Sequence, residues 1–315
     1  MKRVLTAVVL IPVVLLIVFR APLWLFALVV AGIIVPTLSE YLKIAEKAGC
    51  KPFRKVSYLL ALLPILFTLV GTAYVNYSTP EGHYYSSSQD LFLRVGLFAV
   101  LVLSCLVAGI ALVLRREMSG GMASSAATVM GVLYIGGSLS LLVSLRSGLE
   151  SFLVIFVLFS VWAGDIAAYY VGRSIGRHKL APVVSPNKSW EGAIASVIAS
   201  VGIAALVFHY QSAISIWMGA RYRLSPYPLA SNSLSFPVVT LHAIILGVVT
   251  NAAAQFGDLF ESALKRGAGV KDSGELLPGH GGMLDRIDAL LFAIPVVWCY
   301  ATLSGLFVKW TFYHP

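Results

Sequence analysis

The sequence predicts an all-α polytopic membrane protein with about nine transmembrane helices. Of its 315 residues, 58% are hydrophobic and only 12% are charged, whereas a typical soluble domain has about 25% charged residues. The apolar residues also fall in long runs, and a helix needs ~20 such residues to cross the hydrocarbon core of a bilayer. Because backbone groups in lipid must hydrogen-bond to one another, we expect these runs to be helices. Together these features exclude a soluble domain.

The apolar runs give the predicted spans in chain order. They cover residues 4–19, 21–38, 57–75, 91–114, 126–145, 151–171, 193–218, 237–256 and 287–310. Up to about residue 150 the charged residues lie between the spans, and after it polar residues also cluster at the ends of spans and inside them. We therefore predict two regions. Residues 1–150 anchor the protein and offer contacts for lipid access or for a dimer, and residues 151–315 carry the chemistry.

The basic residues predict the orientation of the helices. With the N-terminus in the cytoplasm, most of the 23 Lys and Arg residues fall on the inner side, and the outer loop 76–90 contains none of them. The positive-inside rule describes this asymmetry. The net charge of +9 therefore reflects topology and contact with anionic lipid head groups, rather than nucleic-acid binding.

The densest group of polar residues lies at 257–288. Its first members are three or four residues apart and can share one helix face; they are Asp258, Glu261, Ser262 and Lys265. A glycine-rich stretch follows, in which the backbone can approach a ligand closely. Asp285 and Asp288 then stand three residues apart at the start of the last span.

Carboxylates mixed with Lys and Arg beside glycine-rich backbone suit a metal-bound polyphosphate. Proteins usually hold Mg²⁺ with one or two carboxylates together with phosphate oxygens and water, and Lys and Arg neutralise the remaining charge. Any one of these residues alone could be a solvated loop charge. The whole set, next to a membrane helix, is typical of a functional site, since ionisable groups at membrane depth are costly.

A second polar segment spans residues 165–192. Asp165 and Tyr169 lie one helical turn apart, and a basic stretch follows them. Residues 185–189 bring hydroxyl and backbone N–H groups to the start of the next predicted span, and helix N-termini favour anions. A basic cytoplasmic loop that touches anionic lipid would have the same composition, so the segment alone leaves both interpretations open.

Both segments resemble motifs of the phosphatidate cytidylyltransferase (CDP-diglyceride synthetase) family. The stretch from Ser262 to Asp288 is similar throughout to the family signature, including its Leu-Pro-x-His-Gly-Gly-Met-x-Asp-Arg-Ile-Asp end. Residues 185–192 resemble a second motif, Ser-Pro-x-Lys-Ser-x-Glu-Gly. Where the family commonly has Asp-Thr-Gly before the tyrosine, this chain has Asp-Ile-Ala from Asp165 onward. The resemblance is specific over residues 165–288 and generic before about residue 150.

The resemblance implies a reaction of phospholipid biosynthesis. CMP is transferred from CTP to phosphatidic acid, which gives CDP-diacylglycerol and pyrophosphate with the help of Mg²⁺; a second cation is left open. A phosphate monoester has a second pKa near ~6, so the lipid phosphate is largely dianionic at neutral pH and needs charge neutralisation more than a strong base. Since CTP is cytoplasmic, we expect a multi-pass protein of the inner (plasma) membrane with its site facing the cytoplasm.

The resemblance, together with the helical spacing, also assigns roles to residues. The metal ligands are predicted to be Asp258, Asp285 and Asp288. The other catalytic residues are predicted to contact phosphates or to orient groups that do, and they are Lys265, Arg266, Lys271, Asp272, His280 and Arg286. The predicted substrate-binding residues are Asp165, Tyr169, Ser185, Lys188, Ser189, Glu191 and Ser262.

Other functions fit the sequence less well. An ion-coupled secondary transporter with carboxylates at the inner face is the main alternative, but transporter sites lie near the bilayer midplane between related halves, and no two halves of this chain look related. A CDP-alcohol phosphotransferase would carry an Asp-Gly-x2-Ala-Arg core, which is not found. A purely structural scaffold gives no reason for the motif at 257–288. A homodimer suits such a bundle, although no residue pattern demonstrates one.

Overall fold

A computed structural model of the chain describes residues 12–78, 87–114, 120–147, 152–211, 213–214, 236–276 and 281–313. Eight of its helices are long and apolar enough to cross a membrane, which confirms the all-α polytopic fold. Residues 12–20 are also helical. The predicted first span begins outside the described residues, so the count of nine stays a prediction.

The helices are numbered in chain order. Those that can span the membrane are α1 (Leu23–Lys47), α2 (Arg54–Ser78), α3 (Ser87–Val113), α4 (Gly121–Ser147), α5 (Phe152–Ile175), α6 (Trp190–His209), α7 (Phe236–Gly267) and α8 (Leu284–Tyr313). Helix α4 contains one π-helical segment, Val132–Gly137, most of which is buried.

Several helices are longer than the spans predicted for them. Helix α1 continues nine residues past residue 38 to Lys47, and α7 continues eleven residues past residue 256 to Gly267. Hydropathy marks the part of a helix that suits lipid, whereas the helix itself continues wherever its backbone groups are paired. The polar residues that follow these apolar runs are therefore helical and keep fixed positions on a helix face.

A β-hairpin precedes α6, in the segment for which the sequence predicts a basic stretch but no strands. Strands β1 (Lys179–Ala181) and β2 (Ser185–Ser189) pair antiparallel, with Lys179 opposite Ser189 and Ala181 opposite Ser185. They are the strands found in the described part of the chain. The hydroxyls of the segment thus belong to an ordered hairpin that leads directly into a membrane helix.

The chain divides into two compact units. In the first, Ala21–Ser147 is joined by Ala263–Ile287. Its core includes Leu60, Val100 and Val132, which bring α2, α3 and α4 together. The predicted division near residue 150 lies close to the end of this first stretch, whereas Ala263–Ile287 groups with the early helices. The roles assigned to the two regions stay predictions.

In the second unit, Gly148–Ser262 is joined by Asp288–Pro315. Helices α5 and α6 approach closely because Ser160 and Ser200 each donate a hydroxyl hydrogen bond to the other's carbonyl oxygen, at 3.4 and 3.0 Å. Small residues commonly permit such close approach of membrane helices. The amide of Asn251 on α7 donates to the hydroxyls of Ser196 and Ser200, each at 2.8 Å. This link fixes which face of α7 is turned to α6.

Candidate functional site

One group of polar side chains lies in the second unit, around Asp258 on α7. Asp258 stands seven residues, or two turns, after Asn251 and therefore shares the α7 face that meets α6. The Nζ atom of Lys188, at the end of β2, lies 2.6 Å from Oδ2 of Asp258. Both side chains are partly buried, with 24% and 37% of their surfaces exposed. The structure thus brings the two polar segments into direct contact.

Further carboxylates surround this ion pair. The start of α8 lies against α7 beside Asp258, because a Cβ atom on the adjacent Gly257 would lie 2.6 Å from the carbonyl oxygen of Asp288. Asp165 on α5 is close enough to interact with the charges of Asp258 and Lys188. Glu261 is only 1% exposed. Four carboxyl groups, those of Asp165, Asp258, Glu261 and Asp288, thus lie in one group with Lys188. This excess of acidic groups favours the binding of a cation.

The arrangement of these carboxylates fits a divalent cation that also uses ligands from a substrate. Among the residues that the structure describes, no three His, Cys, Asp or Glu side chains converge into a ligand set that would hold an ion alone. Mg²⁺ commonly takes one or two carboxylates and completes its shell with phosphate oxygens and water. Asp258 and Asp288 can supply those carboxylates.

A second group of polar side chains lies in the first unit, around Asp285 on α8. Its Oδ1 atom lies 2.6 Å from Nζ of Lys265, and the two side chains are 12% and 13% exposed. The carboxylate also accepts hydrogen bonds from the N–H of Gly282 at 2.8 Å and from the N–H and hydroxyl of Ser273 at 3.1 and 2.9 Å. Asp285 therefore holds both a buried lysine and the glycine-rich loop.

One residue of this group, Glu40 on α1, is not predicted from the sequence. Its buried carboxylate accepts hydrogen bonds from the N–H groups of Met283 and Leu284. The single hydroxyl proton of Ser273 is shared between this carboxylate, at 3.0 Å, and Asp285. Glu40 stands two residues after the predicted second span, where charged residues are expected between the spans. Its partners lie 233 to 244 residues later in the chain, a distance that no local pattern bridges.

The predicted substrate-binding residues of the hairpin have internal partners. The hydroxyl of Ser189 caps α6 by accepting a hydrogen bond from the N–H of Gly192 at 3.2 Å. The Glu191 carboxylate lies 2.7 Å from Nδ1 of His178 and 3.3 Å from its backbone N–H. Both contacts fasten the hairpin to α6, and the substrate-binding roles of Ser189 and Glu191 stay predictions.

Two of the remaining predicted residues contact other side chains. The phenol oxygen of Tyr169 accepts a hydrogen bond from Arg173 at 2.9 Å, and the Ser262 hydroxyl lies 3.5 Å from Oδ1 of Asp258. His280 lies outside the described residues. The exposed residues are Asp165, Tyr169, Arg266, Lys271, Asp272 and Arg286, while Ser185 is half-buried in β2.

Each group can do one part of phosphate chemistry. The carboxylates around Asp258 can bind a cation, and Lys188 beside them can bind an anion. In the other group, the exposed basic residues of the glycine-rich region can reach a phosphate, while Asp285 fixes Lys265 and the loop. The group around Asp258 by itself brings a cation-binding and an anion-binding function together, which suits a metal–polyphosphate complex.

Comparisons with known proteins agree with this chemistry. Residues 1–304 match the Cytidylyltransferase family. A phosphatidate cytidylyltransferase of Brucella suis is 34% identical over 278 residues, which cover 87% of this chain and 92% of the relative. One of Thermotoga maritima is 33% identical over 76% of this chain and 73% of the relative. One of Haemophilus influenzae is 44% identical over 144 residues, which cover 46% of this chain and only 43% of that relative.

The family match extends over most of the sequence, and the Brucella protein aligns along nearly its whole length. This chain therefore belongs to the cytidylyltransferase family.

Proposed function

We propose that this protein is a phosphatidate cytidylyltransferase, which transfers CMP from CTP to phosphatidic acid and releases pyrophosphate. Its family membership supports this, as do relatives of that name that align over most of the chain. The lipid product is CDP-diacylglycerol. The protein is a nucleotidyltransferase of phospholipid biosynthesis that works in a lipid bilayer.

The observation that carries the proposal is the 2.6 Å ion pair between Lys188 and Asp258. It joins the two segments that each resemble a motif of this enzyme family, and it places an anion-binding lysine beside carboxylates suited to a cation. CTP brought in as a metal complex needs both kinds of group, because its phosphates bind the cation and still carry net negative charge.

In the reaction, an oxygen of the lipid phosphate attacks the α-phosphorus of CTP. A new P–O bond forms, and the P–O bond to the β-phosphate breaks as pyrophosphate leaves. The attacking phosphate is largely dianionic at neutral pH because its second pKa is near ~6, so no side chain has to remove a proton. The main task of the protein is to hold two anions together in line.

Asp258 and Asp288 would hold Mg²⁺. When bound, Mg²⁺ neutralises charge on the CTP phosphates and on the leaving pyrophosphate. Asp285 as a third ligand and a second cation are further predictions. The four hydrogen-bond donors around Asp285 support a different main role for it, which is to orient Lys265 and the loop.

The basic residues supply the remaining charge neutralisation. Lys188 can exchange the oxygen of Asp258 for a phosphate oxygen, because an ammonium group on a flexible stem can rotate between two acceptors. Arg266, Lys271 and Arg286 are exposed and can contact phosphates from the solvent side. Each of these contacts becomes stronger as negative charge builds up on the departing pyrophosphate.

We place the site at the cytoplasmic face of the inner membrane. CTP is available there, and the basic segments 172–192 and 257–286 would face the cytoplasm under the positive-inside rule. The lipid substrate is then reached at head-group depth. A homodimer is a further prediction that rests on the type of bundle alone.

The direct test is release of pyrophosphate by the purified protein in detergent–lipid micelles. CTP, Mg²⁺ and phosphatidic acid are omitted one at a time, and the lipid product is identified by mass spectrometry. We expect release only when all three are present, with CDP-diacylglycerol as the product. Release without phosphatidic acid, or no release from folded protein in several lipids, would overturn the proposal. Ion flux into proteoliposomes would then test the transporter alternative.

A further inference from the structure

The carboxylate of Glu40 is buried near the C-terminal end of α1. It is 5% exposed and lies between the fully buried side chains of Leu38 and Leu42 in the sequence. Burial of a carboxylate is strongly unfavourable unless hydrogen bonds or opposite charges compensate for it. The partners of Glu40 therefore show why the protein tolerates it.

All the hydrogen bonds recorded for Glu40 come from the glycine-rich region and the start of α8. Met283 donates its N–H to Oε1 at 3.0 Å, and Leu284 donates its N–H to Oε2 at 2.8 Å. These are among the N–H groups that a helix cannot satisfy internally at its first turn. Glu40 thus caps α8 from another helix, and a negative charge at a helix N-terminus is favourable.

Two glycines of the signature stretch make this contact sterically feasible. A Cβ atom on Gly274 would lie 2.6 Å from Oε1 of Glu40, and one on Gly282 would lie 2.4 Å from Oε2. Any other residue at either position would collide with the carboxylate. The sequence suggested that such glycines let the backbone approach a ligand, but these two approach a side chain of the protein itself.

A shared hydroxyl connects Glu40 to Asp285. The Oγ atom of Ser273 lies 3.0 Å from Oε2 of Glu40 and 2.9 Å from Oδ2 of Asp285. Asp285 holds Nζ of Lys265 at 2.6 Å through its other oxygen. A continuous chain of contacts therefore runs from Glu40 through Ser273 and Asp285 to Lys265.

We infer that Glu40 is a positioning residue for the cytidylyltransferase reaction, which fixes Ser273, Met283 and Leu284 and, through Ser273, Asp285 and Lys265. The inference rests on the proposed function for its catalytic consequence, whereas the anchoring itself does not depend on it. It also gives the first membrane helices a role in the chemistry beyond anchorage in the membrane.

The two N–H donors and the hydroxyl that Glu40 shares with Asp285 favour a carboxylate over a neutral polar group. Glutamine in place of Glu40 would have one accepting oxygen and would turn an NH₂ group toward N–H donors. At least one of the hydrogen bonds would be lost, and the negative charge at the start of α8 would be lost with it. Aspartate keeps the charge but is one methylene shorter, so it should preserve part of the anchoring.

The anchoring is tested by hydrogen–deuterium exchange in detergent micelles on the full-length variants Glu40→Gln and Glu40→Asp. In Glu40→Gln, we expect exchange to accelerate by about tenfold or more in peptides that contain Ser273 or Met283 and Leu284. Glu40→Asp should lie between this variant and the wild type. The matched control is Glu46→Gln, since Glu46 is on the same helix but pairs with Arg54 at the surface.

The catalytic role is tested by steady-state kinetics on the same samples. In Glu40→Gln, we expect kcat to fall by about tenfold or more and KM for CTP to change by less than about threefold. The kcat of Glu40→Asp should lie between those of Glu40→Gln and the wild type. Both constants should be unchanged in Glu46→Gln. A residue that serves only stability would lower the unfolding temperature and leave kcat per folded molecule unchanged.

Two results would overturn the inference. Unchanged exchange in Glu40→Gln would show that the loop is not anchored by Glu40, and faster exchange with wild-type kcat would show that the anchor has no catalytic role. If Glu40→Gln does not fold, Ser273→Ala removes only the shared hydroxyl and should give smaller shifts in the same peptides and in kcat. If the wild type itself has no transferase activity, the proposed function fails, while the exchange result still decides the anchoring.

Discussion

The Nζ atom of Lys188 lies 2.6 Å from Oδ2 of Asp258, so one ion pair joins the β-hairpin before α6 to the face of α7. A pair of the same length joins Lys265 to Asp285 in the other unit. Two of the lysines that we expect to bind phosphate are thus already held by an aspartate. Removal of one partner should therefore change more than a single substrate contact, because it leaves the other charge without its compensation.

The first prediction concerns Lys188→Ala. A hydrogen bond to a charged group contributes about 1.5–3 kcal/mol, so we expect kcat/KM for CTP or for phosphatidic acid to fall roughly 10- to 100-fold. Titration of each substrate at saturating levels of the other shows which of the two the lysine binds. Lys179→Ala is the matched control, because Lys179 is an exposed lysine of the same hairpin. Equal kinetics in the two variants would remove Lys188 from the site.

The second prediction concerns Asp285→Asn. The amide lacks the charge that compensates Lys265 and turns an NH₂ group toward N–H donors. Loss of one partner of a buried ion pair costs about 3–5 kcal/mol, so we expect a lower unfolding temperature, a loosened loop and loss of turnover in protein that stays folded in detergent.

The double variant Lys265→Met with Asp285→Asn separates the two effects of that substitution. It removes both charges, so it should regain part of the stability and none of the turnover, since coupled residues give non-additive free energies. Additive losses of stability would show that the pair does not act as a unit. Wild-type turnover in Asp285→Asn alone would contradict both the predicted metal role and the orienting role.

The membrane helices and the spacing of polar residues on α7 and α8 could be predicted because both depend on local pattern. Hydropathy identified the spans, and the helical spacing correctly placed Asp258, Glu261 and Lys265 on one continuous helix. The sequence predicts that Lys188 and Asp258 belong to one site, but it does not predict that they form an ion pair. The distance between them depends on how α6 packs against α7, which sequence spacing does not encode.

The role of Glu40 could not be predicted because its partners are more than two hundred residues away. A carboxylate just beyond an apolar run has the same local signature as an ordinary cytoplasmic charge. The glycines at 274 and 282 did indicate a close approach, but a glycine does not reveal which atoms approach it. The hairpin at 179–189 was missed for a related reason, since its strands are too short to show alternation.

The third prediction concerns Asp288→Asn, which replaces one carboxyl of a group that also contains Asp165, Asp258 and Glu261. An amide has nearly the same size as a carboxyl and carries no charge, so it suits this acidic group at least as well, and the unfolding temperature measured with a chelator should not fall. Turnover should fall about 10²–10³-fold, as for loss of one preorganised group that stabilises transition-state charge.

Stabilisation by Mg²⁺ provides the second readout for Asp288→Asn. A ligand that binds only the folded state raises the unfolding temperature, so the rise on adding Mg²⁺ should be smaller in Asp288→Asn than in the wild type. Glu275→Gln is the control, because Glu275 is an exposed carboxylate outside this group. An unchanged response to Mg²⁺ together with normal turnover would exclude Asp288 as a metal ligand.

The last prediction decides between two roles for Ser189. Its buried hydroxyl caps α6 by accepting from Gly192 at 3.2 Å, and loss of such a cap costs about 1 kcal/mol. If capping is its main role, Ser189→Ala should lower the unfolding temperature slightly and leave KM for both substrates nearly unchanged. A substrate-binding role requires instead a large rise in one KM at almost constant stability. Ser174→Ala is the control, because the exposed Ser174 hydroxyl donates to the carbonyl oxygen of Tyr170 within its own helix. The cap also fixes the end of β2, and Lys188 directly precedes Ser189. A rise in KM together with a loss of stability would therefore indicate that Lys188 is displaced. In that case, the double variant Ser189→Ala with Lys188→Ala should have nearly the same KM as Lys188→Ala alone.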